Sequence, residues 1–215
     1  MINNWTYLRK PKALSEVLPS PLDCASVYTG TMKTYTTLKL GTAGTHLIQA
    51  SETLRLWAYL CPANKLTIGY GHVIMASDFP VFKAFNFDRL QATKTACEKR
   101  GVLTPEAVSS LFIDPLIADT LFQKDTGQVA AAVLSMTPIE FTQNQFDAVV
   151  SLVFNIGQAN YAASTLRQKL KALDYTGAAS EFERWVYGTV NGKKTLLNGL
   201  VTRRAKERAL FESAL

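Results

Sequence analysis

The chain has 215 residues, of which 47% are apolar and 19% are charged, and its formal net charge is +6. This composition is that of an ordinary globular protein, and it excludes the disordered, fibrous and collagen-like classes. No apolar run reaches the roughly 18 to 20 residues of a membrane-spanning helix, and the positive charge favours an anionic partner such as a bacterial envelope, a nucleic acid or an acidic lipid.

Residues 1–40 share no pattern with the segment that follows, and we interpret them as an extension whose role the sequence leaves open. Positive charge at Arg9, Lys10 and Lys12 is not followed by an apolar stretch, so the start of the chain does not resemble a secretion signal. We therefore expect the protein to be made without a signal peptide and to accumulate in the cytoplasm of the cell that makes it. A target in the cell wall would then be reached by another route.

Residues 41–103 are predicted to form a small α+β lobe. A short helix comes first, ending near Arg55 with Glu52 close to its last turn. From residue 59 to residue 70, apolar and polar residues roughly alternate around a turn signal, which predicts a β-hairpin. Residues 73–101 are interpreted as an insertion with some helix.

Residues 104–215 are predicted to form a larger helical lobe. Thr104 as N-cap with Pro105 behind it indicates a helix start, and Pro115 is expected to restart the helix after Asp114. Apolar residues at the helical period predict further helices. These open at Thr142 and Ser164, surround residues 178–185, and extend over residues 201–215. The chain as a whole is therefore expected to be of the α+β class.

Metal and nucleic-acid sites are not indicated by the sequence. Its cysteines (Cys24, Cys61 and Cys97) and two histidines form no C-x-x-C or H-x-x-x-H pair, so we expect no metal and no other cofactor. Zinc-finger spacings, an RNA-binding aromatic signature and a long Lys/Arg stripe are missing, so we expect no nucleic-acid partner.

The segment from Glu52 to His72, ETLRLWAYLCPANKLTIGYGH, concentrates the residues that can carry chemistry. Glu52 is followed nine residues later by Cys61 and six residues after that by Thr67. A helix end and a hairpin at these places would bring one acid and two small polar side chains to one cleft. Glycoside hydrolysis uses such a set: a general acid for the leaving oxygen, and a group that activates water or traps the sugar cation.

This segment resembles the active-site segment of the phage-type lysozymes, the endolysins of glycoside hydrolase family 24. In that family Glu is followed by eight residues, usually Asp, five residues, and Thr opening TIGYGH or a close variant. The resemblance continues in order through QNQFDA, SLVFNIG, STL, FERWV and GLVTRRAKER. It covers roughly residues 45–72 and 102–213, and it implies a lysozyme-like fold of a small lobe and a larger all-helical lobe.

The resemblance implies a catalytic role for three residues. Glu52 would be the general acid, and Thr67 would help to place the attacking water. Cys61 stands where the family usually has Asp, and a thiol is a weaker base than a carboxylate because it is mostly neutral at pH 7. Whether Cys61 supports full activity, or forms a redox-regulating disulfide with Cys24 or Cys97, is left open.

Further residues are given roles by the same resemblance. His72 and Asp114 correspond to an ion pair that supports the structure, and Arg203 or Arg204 is expected to reach back to Glu52. Substrate contacts are expected on both sides of the cleft, from Tyr59, Asn155 and Trp185.

The resemblance implies a muramidase that hydrolyses the β-1,4 bond between N-acetylmuramic acid and N-acetylglucosamine in peptidoglycan. It implies an endolysin, expected to be monomeric and released to the wall by a membrane pore protein (a holin). A single carboxylate in the motif favours inversion at the sugar carbon. Two alternatives stay open: a weak or inactive peptidoglycan-binding module, and a muramidase delivered by a virion or a secretion system.

Overall fold

A computed structural model describes residues 38–82, 87–190 and 192–213. The predictions for Cys24 and for most of the extension lie outside these residues. The described helices and strands are, in chain order, α1 (Thr42–Ser51), β1 (Arg55–Leu60), β2 (Leu66–Gly69), β3 (His72–Val73), a 3-10 helix (Ala76–Val81), α2 (Phe87–Arg100), α3 (Pro105–Ser110), α4 (Pro115–Met136), α5 (Gln143–Ile156), α6 (Gln158–Ala162), α7 (Thr165–Lys171), α8 (Tyr175–Glu181), a second 3-10 helix (Phe182–Arg184), β4 (Tyr187–Val190), β5 (Lys193–Leu196) and α9 (Asn198–Glu212).

The predicted hairpin is confirmed and belongs to a three-stranded antiparallel sheet of order β1-β2-β3. Thr67 lies in the middle strand, where it pairs with Tyr59 on one side and Val73 on the other. The β1–β2 turn is closed by a hydrogen bond from the Cys61 N–H to the Lys65 carbonyl (3.0 Å). The sheet therefore fixes the positions of both Cys61 and Thr67.

The helix starts predicted from capping residues are confirmed. The side chains of Thr104, Asp114, Thr142 and Ser164 each accept a hydrogen bond from the first turn of the helix that follows. Such caps satisfy N–H groups that have no partner within the helix. The observed mixture of helices with a small antiparallel sheet confirms the predicted α+β class.

Two hydrophobic cores correspond to the two ends of the molecule. Leu66 and Ile68 of β2 are fully buried in the smaller core, and α5 passes through the larger one with Phe146 and Val149 fully buried. Burial of each such side chain stabilises the fold by roughly 1.5–3 kcal/mol. Helix α1 contacts α5 and α9, so the helix that precedes Glu52 packs on the larger core. No helix in the described part of the chain is both long and apolar enough to cross a membrane.

Three boundaries differ from the sequence prediction. Helix α1 ends at Ser51, because Glu52 already has an extended backbone (φ −107°, ψ 127°). The helix predicted around residues 178–185 is divided into α8 and a 3-10 turn. The two-stranded β4–β5 hairpin was not predicted, and the last helix begins at Asn198 rather than Val201.

Candidate active site

Glu52 lies at the C-terminal end of α1, with its carboxylate between the two parts of the molecule. Its Oε1 accepts a hydrogen bond from Arg203 Nη1 (2.7 Å), and its side chain is 26% exposed. A Cβ placed on Gly71, in the β2–β3 turn, would lie 4.0 Å from the other oxygen, Oε2. The predicted contact between an arginine of the last helix and Glu52 is thus confirmed for Arg203.

The start of α1 is held by a buried carboxylate from α5. Asp147 is fully buried, and its two oxygens accept hydrogen bonds from the backbone N–H groups of Gly41 (2.8 Å) and Gly44 (3.0 Å). Gly41 occupies the N-cap position and has no capping side chain of its own, so Asp147 satisfies these N–H groups in its place. Because α1 is fixed at its first turn, the position of Glu52, directly after its last residue, is fixed as well.

Arg203 is itself held by groups of the helical lobe. Its Nε donates to Glu207 Oε1 (3.0 Å) and its Nη2 to the Ser151 carbonyl (3.2 Å). The Ser151 hydroxyl also donates to Glu207 Oε1 (2.7 Å). Glu207 is fully buried, and this burial raises the pKa of Glu207 although Arg204 and Arg203 act to lower it. A chain of polar contacts therefore leads from Glu207 through Arg203 to Glu52.

Arg204 contacts Asn155 instead of Glu52, although it shares Glu207 with Arg203. Its Nη2 donates to the Asn155 side-chain oxygen (2.7 Å), and its Nη1 lies 2.8 Å from Glu207 Oε2 without hydrogen-bond alignment. Burial lowers the pKa of Arg204 to about 10, so the guanidinium is still charged at neutral pH. Asn155, predicted to contact substrate, has its oxygen occupied by this arginine.

Cys61 lies at the β1–β2 turn, partly exposed and with a free thiol. Burial would raise the pKa of Cys61, but the backbone N–H groups of Lys65 and Ala63 and the Thr67 hydroxyl donate toward the sulfur and lower that pKa below its ordinary value. Hydrogen bonds to a thiolate favour the ionised form. The turn therefore makes Cys61 more anionic than an isolated thiol.

Thr67 is buried, and its hydroxyl lies between two acceptors. It donates to the Lys65 carbonyl (2.9 Å), and it is also oriented toward the Cys61 sulfur. A hydroxyl has one proton, so it can donate to only one of these groups at a time. The sheet thus brings Thr67 and Cys61 into direct contact, as their spacing predicted.

Tyr59, one of the residues expected to contact substrate, pairs with Thr67 across strands β1 and β2. Burial raises the pKa of Tyr59, and the negative charges of Glu52 and Cys61 raise it further, while Arg55 lowers it. The Arg55 guanidinium stacks on the Tyr59 ring at 4.7 Å from its centroid. The ring is therefore held close to both the acid and the thiol.

The predicted ion pair between His72 and Asp114 is wrong. His72 Nε2 lies 2.9 Å from Asp78 Oδ2, and Nδ1 lies 2.8 Å from Asp125 Oδ2. Asp114 instead caps α4 by accepting from the Ile117 N–H (2.8 Å). The N-terminus of α4 needs that carboxylate, whereas Asp125 lies three turns further along the same helix and reaches the histidine. His72 therefore supports the structure through Asp78 and Asp125, and not through Asp114.

His72 should make stability depend on pH. Burial alone would lower the pKa of His72, but Asp125 and Asp78 outweigh it and raise that pKa above its ordinary value. The stabilisation is then full below about pH 6.5 and is lost as the pH rises through the higher folded-state pKa. We expect His72→Gln to reduce the free energy of unfolding by about 3 kcal/mol in acid, and by less above neutrality, as measured by urea unfolding at a series of pH values.

Asp125→Asn and Asp114→Ala are the matched variants for this test. Asp125→Asn should reduce the same pH dependence, since it removes one of the two carboxylates that contact His72. Asp114→Ala should lower the free energy of unfolding by about 1 kcal/mol at each pH of the urea series, because it removes only a helix cap. Loss of the pH dependence in Asp114→Ala but not in Asp125→Asn would contradict the observed pairing.

A groove of about 530 Å³ runs between the β2–β3 region and helices α4 and α5. Gly71, which lies against Glu52, forms one wall, and Phe154 forms part of another. The groove therefore passes close to Glu52, which is not itself among the residues that line it, and a chain-like substrate can lie along it. A larger groove of about 730 Å³, between residues 38–40 and α4, is lined mainly by aliphatic side chains and contains none of the residues described above.

Trp185, the remaining residue expected to contact substrate, lies on the helical lobe. It is partly buried against the larger core. It also lines a separate groove of about 310 Å³ together with Glu181 and Arg184. It is not among the residues that line the groove next to Glu52.

Sequence reasoning missed residues whose partners are distant in the chain. Asp147 bonds backbone groups more than a hundred residues earlier, and Glu207 bonds a serine 56 residues away. A carboxylate at an otherwise apolar helix position, as at Asp147 between Phe146 and Ala148, is the signal that could have indicated a buried acceptor.

Comparisons with known proteins agree with this geometry. The profile of the phage lysozyme family matches residues 49–207. An endolysin of Acyrthosiphon pisum secondary endosymbiont phage 1 is 39% identical over 171 residues, which are 80% of this chain and 96% of that protein. An endolysin structure from Escherichia coli O157:H7 phage FAHEc1 has a TM-score of 0.63 at 27% identity, covering 83% of this chain and 96% of that one.

The muramidase domain of SpmX from Asticaccaulis excentricus has a TM-score of 0.61 at 29% identity, over 80% of this chain and 97% of that domain. These matches confirm the lysozyme-like fold. The matched residues of the family profile include both Glu52 and Arg203, the two ends of the ion pair at the centre of the site. The chain therefore belongs to the phage lysozyme family.

Proposed function

We propose that the protein is a muramidase in which Glu52 protonates the oxygen of the β-1,4 bond between N-acetylmuramic acid and N-acetylglucosamine. The observation that carries this proposal is the position of Glu52 directly after α1, with Oε1 held by Arg203 and Oε2 near Gly71, a residue that lines the groove. One oxygen held by an arginine and one oxygen on the side of a groove-lining glycine suit proton donation to a sugar chain bound in that groove.

Membership of the family gives the class of reaction. The protein is a glycoside hydrolase that degrades peptidoglycan, and its relatives are endolysins of phages. The solved muramidase domain that it resembles is named for the same cleavage. The bond within the glycan strand and the residue roles are the parts that we propose.

Cys61 and Thr67 are proposed to place the water that attacks the sugar. The lowered pKa of Cys61 allows its sulfur to accept a proton or a hydrogen bond from that water, and the Thr67 hydroxyl can orient it. Attack by water on the face opposite the leaving oxygen inverts the configuration of the sugar carbon. Identification of the product by mass and by anomer tests this proposal, since an anhydro-sugar or a retained configuration would contradict it.

The dependence of the rate on Cys61 provides a pH test. If the thiolate assists the water, the rate should fall as the pH drops below the thiol pKa, which itself lies below the ordinary value of 9.0. Cys61→Asp should stay active to lower pH, because a carboxylate is ionised above about pH 4. Cys61→Ala should lose about 100-fold in kcat. The measurement is the rate of release of reducing ends from peptidoglycan between about pH 5 and 9.

Cys61→Ser is the control for side-chain size. It keeps the small polar group but cannot ionise in this range, so it should show no rise in rate with pH that is due to residue 61. A pH profile shared by the wild type and Cys61→Ser would contradict a role for the thiolate. Rates that change with reductant would instead favour a disulfide at Cys61.

We further propose that the protein acts as a monomer on the cell wall during phage lysis, and that a membrane pore protein releases it. Family membership and the endolysin relatives support action on the wall. Expression with and without a pore protein tests the release step, since lysis should occur only when both are present.

A further inference from the structure

The β4–β5 hairpin is the most exposed piece of regular structure in the described chain. Apart from the partly buried Gly188, every residue of its two strands is exposed. Tyr187, Val190 and Leu196 are large apolar side chains left about half accessible to solvent. A two-stranded hairpin has little stability of its own. Packing in a hydrophobic core therefore does not account for the exposed apolar side chains of this segment.

The two faces of the hairpin differ in chemistry. Tyr187 pairs with Leu196 and Thr189 pairs with Lys194 across the strands, so these residues share one face. Lys194 Nζ lies over the Tyr187 ring, 4.7 Å from its centroid. This face, which we name the Tyr187 face, therefore combines an aromatic ring, an aliphatic side chain and an ammonium group. Lys193 and Val190 are paired on the opposite face.

The hairpin adjoins the site through α9. Strand β5 ends at Leu196, and α9 begins two residues later at Asn198. Arg203, which contacts Glu52, lies five residues into that helix, or roughly 8 Å along its axis at the usual rise. The base of the hairpin is therefore about a turn and a half of helix away from the arginine that contacts Glu52.

We propose that the Tyr187 face binds the peptide stems carried by the glycan strand that is being cleaved. Those stems bear free carboxylates, which an exposed ammonium group attracts, and short aliphatic side chains, which an aromatic ring can cover. The proposal rests on the proposed muramidase function, and it assigns the face to recognition of the peptide part of that substrate. The ligand proposed for the Tyr187 face is a peptide-bearing glycan strand.

The variants that test this proposal change the Tyr187 face, the opposite face of the hairpin, or an exposed position outside it. Lys194→Glu should raise KM for peptide-bearing peptidoglycan by about fivefold and leave kcat unchanged. Tyr187→Ala should do the same, because Lys194 loses the ring that holds it. Lys193→Glu carries the same change of charge on the opposite face of the same hairpin, and Lys99→Glu carries it at an exposed position of α2. Both of these should match the wild type.

The substrate provides the second comparison. Glycan strands from which an amidase has removed the peptide stems should be cleaved equally by the wild type and by Lys194→Glu. An equal rise in KM for Lys193→Glu and Lys194→Glu would indicate general electrostatic attraction and overturn the proposal. So would a defect of Lys194→Glu that persists on the stripped strands.

Binding without cleavage separates this proposal from the proposed function. Sedimentation of the Glu52→Gln protein with intact sacculi should weaken when Lys194→Glu is added, whether or not the wild type cleaves them. Failure of the wild type to release reducing ends would refute the muramidase function alone. Sedimentation with phosphatidylglycerol vesicles that depends on Lys194, together with unchanged binding to sacculi, would identify a lipid surface as the occupant and overturn the proposal.

Discussion

Replacing Glu52 with Gln is expected to lower the rate of peptidoglycan cleavage by about three orders of magnitude. Glutamine keeps the size of the side chain and can still accept from Arg203, but it has no acidic proton to give to the leaving oxygen. The rate should be measured as new reducing ends from purified sacculi and as lysis of cells with a permeabilised outer membrane. Circular dichroism and the unfolding midpoint should change little, because the side chain is only partly buried.

The matched control is Glu140→Gln, an identical change at an exposed position of the helical lobe. It should leave both the rate and the stability unchanged. If Glu52→Gln cleaved as fast as the wild type, the assignment of the acid would be wrong. If neither protein cleaved while both sedimented with sacculi, the chain would be a wall-binding module that has lost its activity.

The parts of the site carried by local sequence were predictable. Glu52, Cys61 and Thr67 are separated by fixed spacings; the hairpin brings Cys61 and Thr67 into contact, and Glu52 lies at the helix end that precedes it. The arginine that contacts Glu52 was predictable only through the resemblance, because 151 residues separate the two. Spacing alone did not distinguish Arg203 from Arg204.

The partners of His72 were not predictable in the same way. Asp78 lies in the insertion, where the family pattern gives no guidance, and Lys124 adds a second contact to that carboxylate (2.7 Å). With Asp78 on one ring nitrogen and Asp125 on the other, no ring nitrogen of His72 is left for Asp114. An insertion thus changed an interaction that the resemblance implied.

The β4–β5 hairpin was not predicted, although its sequence contains a local turn signal. The sequence YGTVNGKKTL contains Asn191-Gly192 between residues of high strand propensity, and Asn-Gly is the strongest short-range indication of a two-residue hairpin turn. Helical periodicity on either side concealed it. The segment that this signal would have found carries the Tyr187 face.

Replacing Glu207 with Gln is expected to have the largest effect on stability, a loss of about 3–5 kcal/mol in the free energy of unfolding. Glu207 is the carboxylate that lies between the guanidinium groups of Arg203 and Arg204 inside the helical lobe. Without its charge, Arg204 stays buried with no carboxylate contact among the described residues. Urea unfolding followed by circular dichroism measures the loss.

The double variant Glu207→Gln, Arg204→Met separates the two consequences of this change. Removing both buried charges should recover much of the stability, because a well-packed apolar side chain replaces an unpaired ion. Activity should recover less than stability, since Arg203 Nε would contact a neutral amide oxygen in place of the carboxylate that aligns it while its Nη1 holds Glu52. A double variant as active as the wild type would show that Glu207 serves stability alone. A stable but slow double variant would show that the buried carboxylate positions the catalytic acid through Arg203.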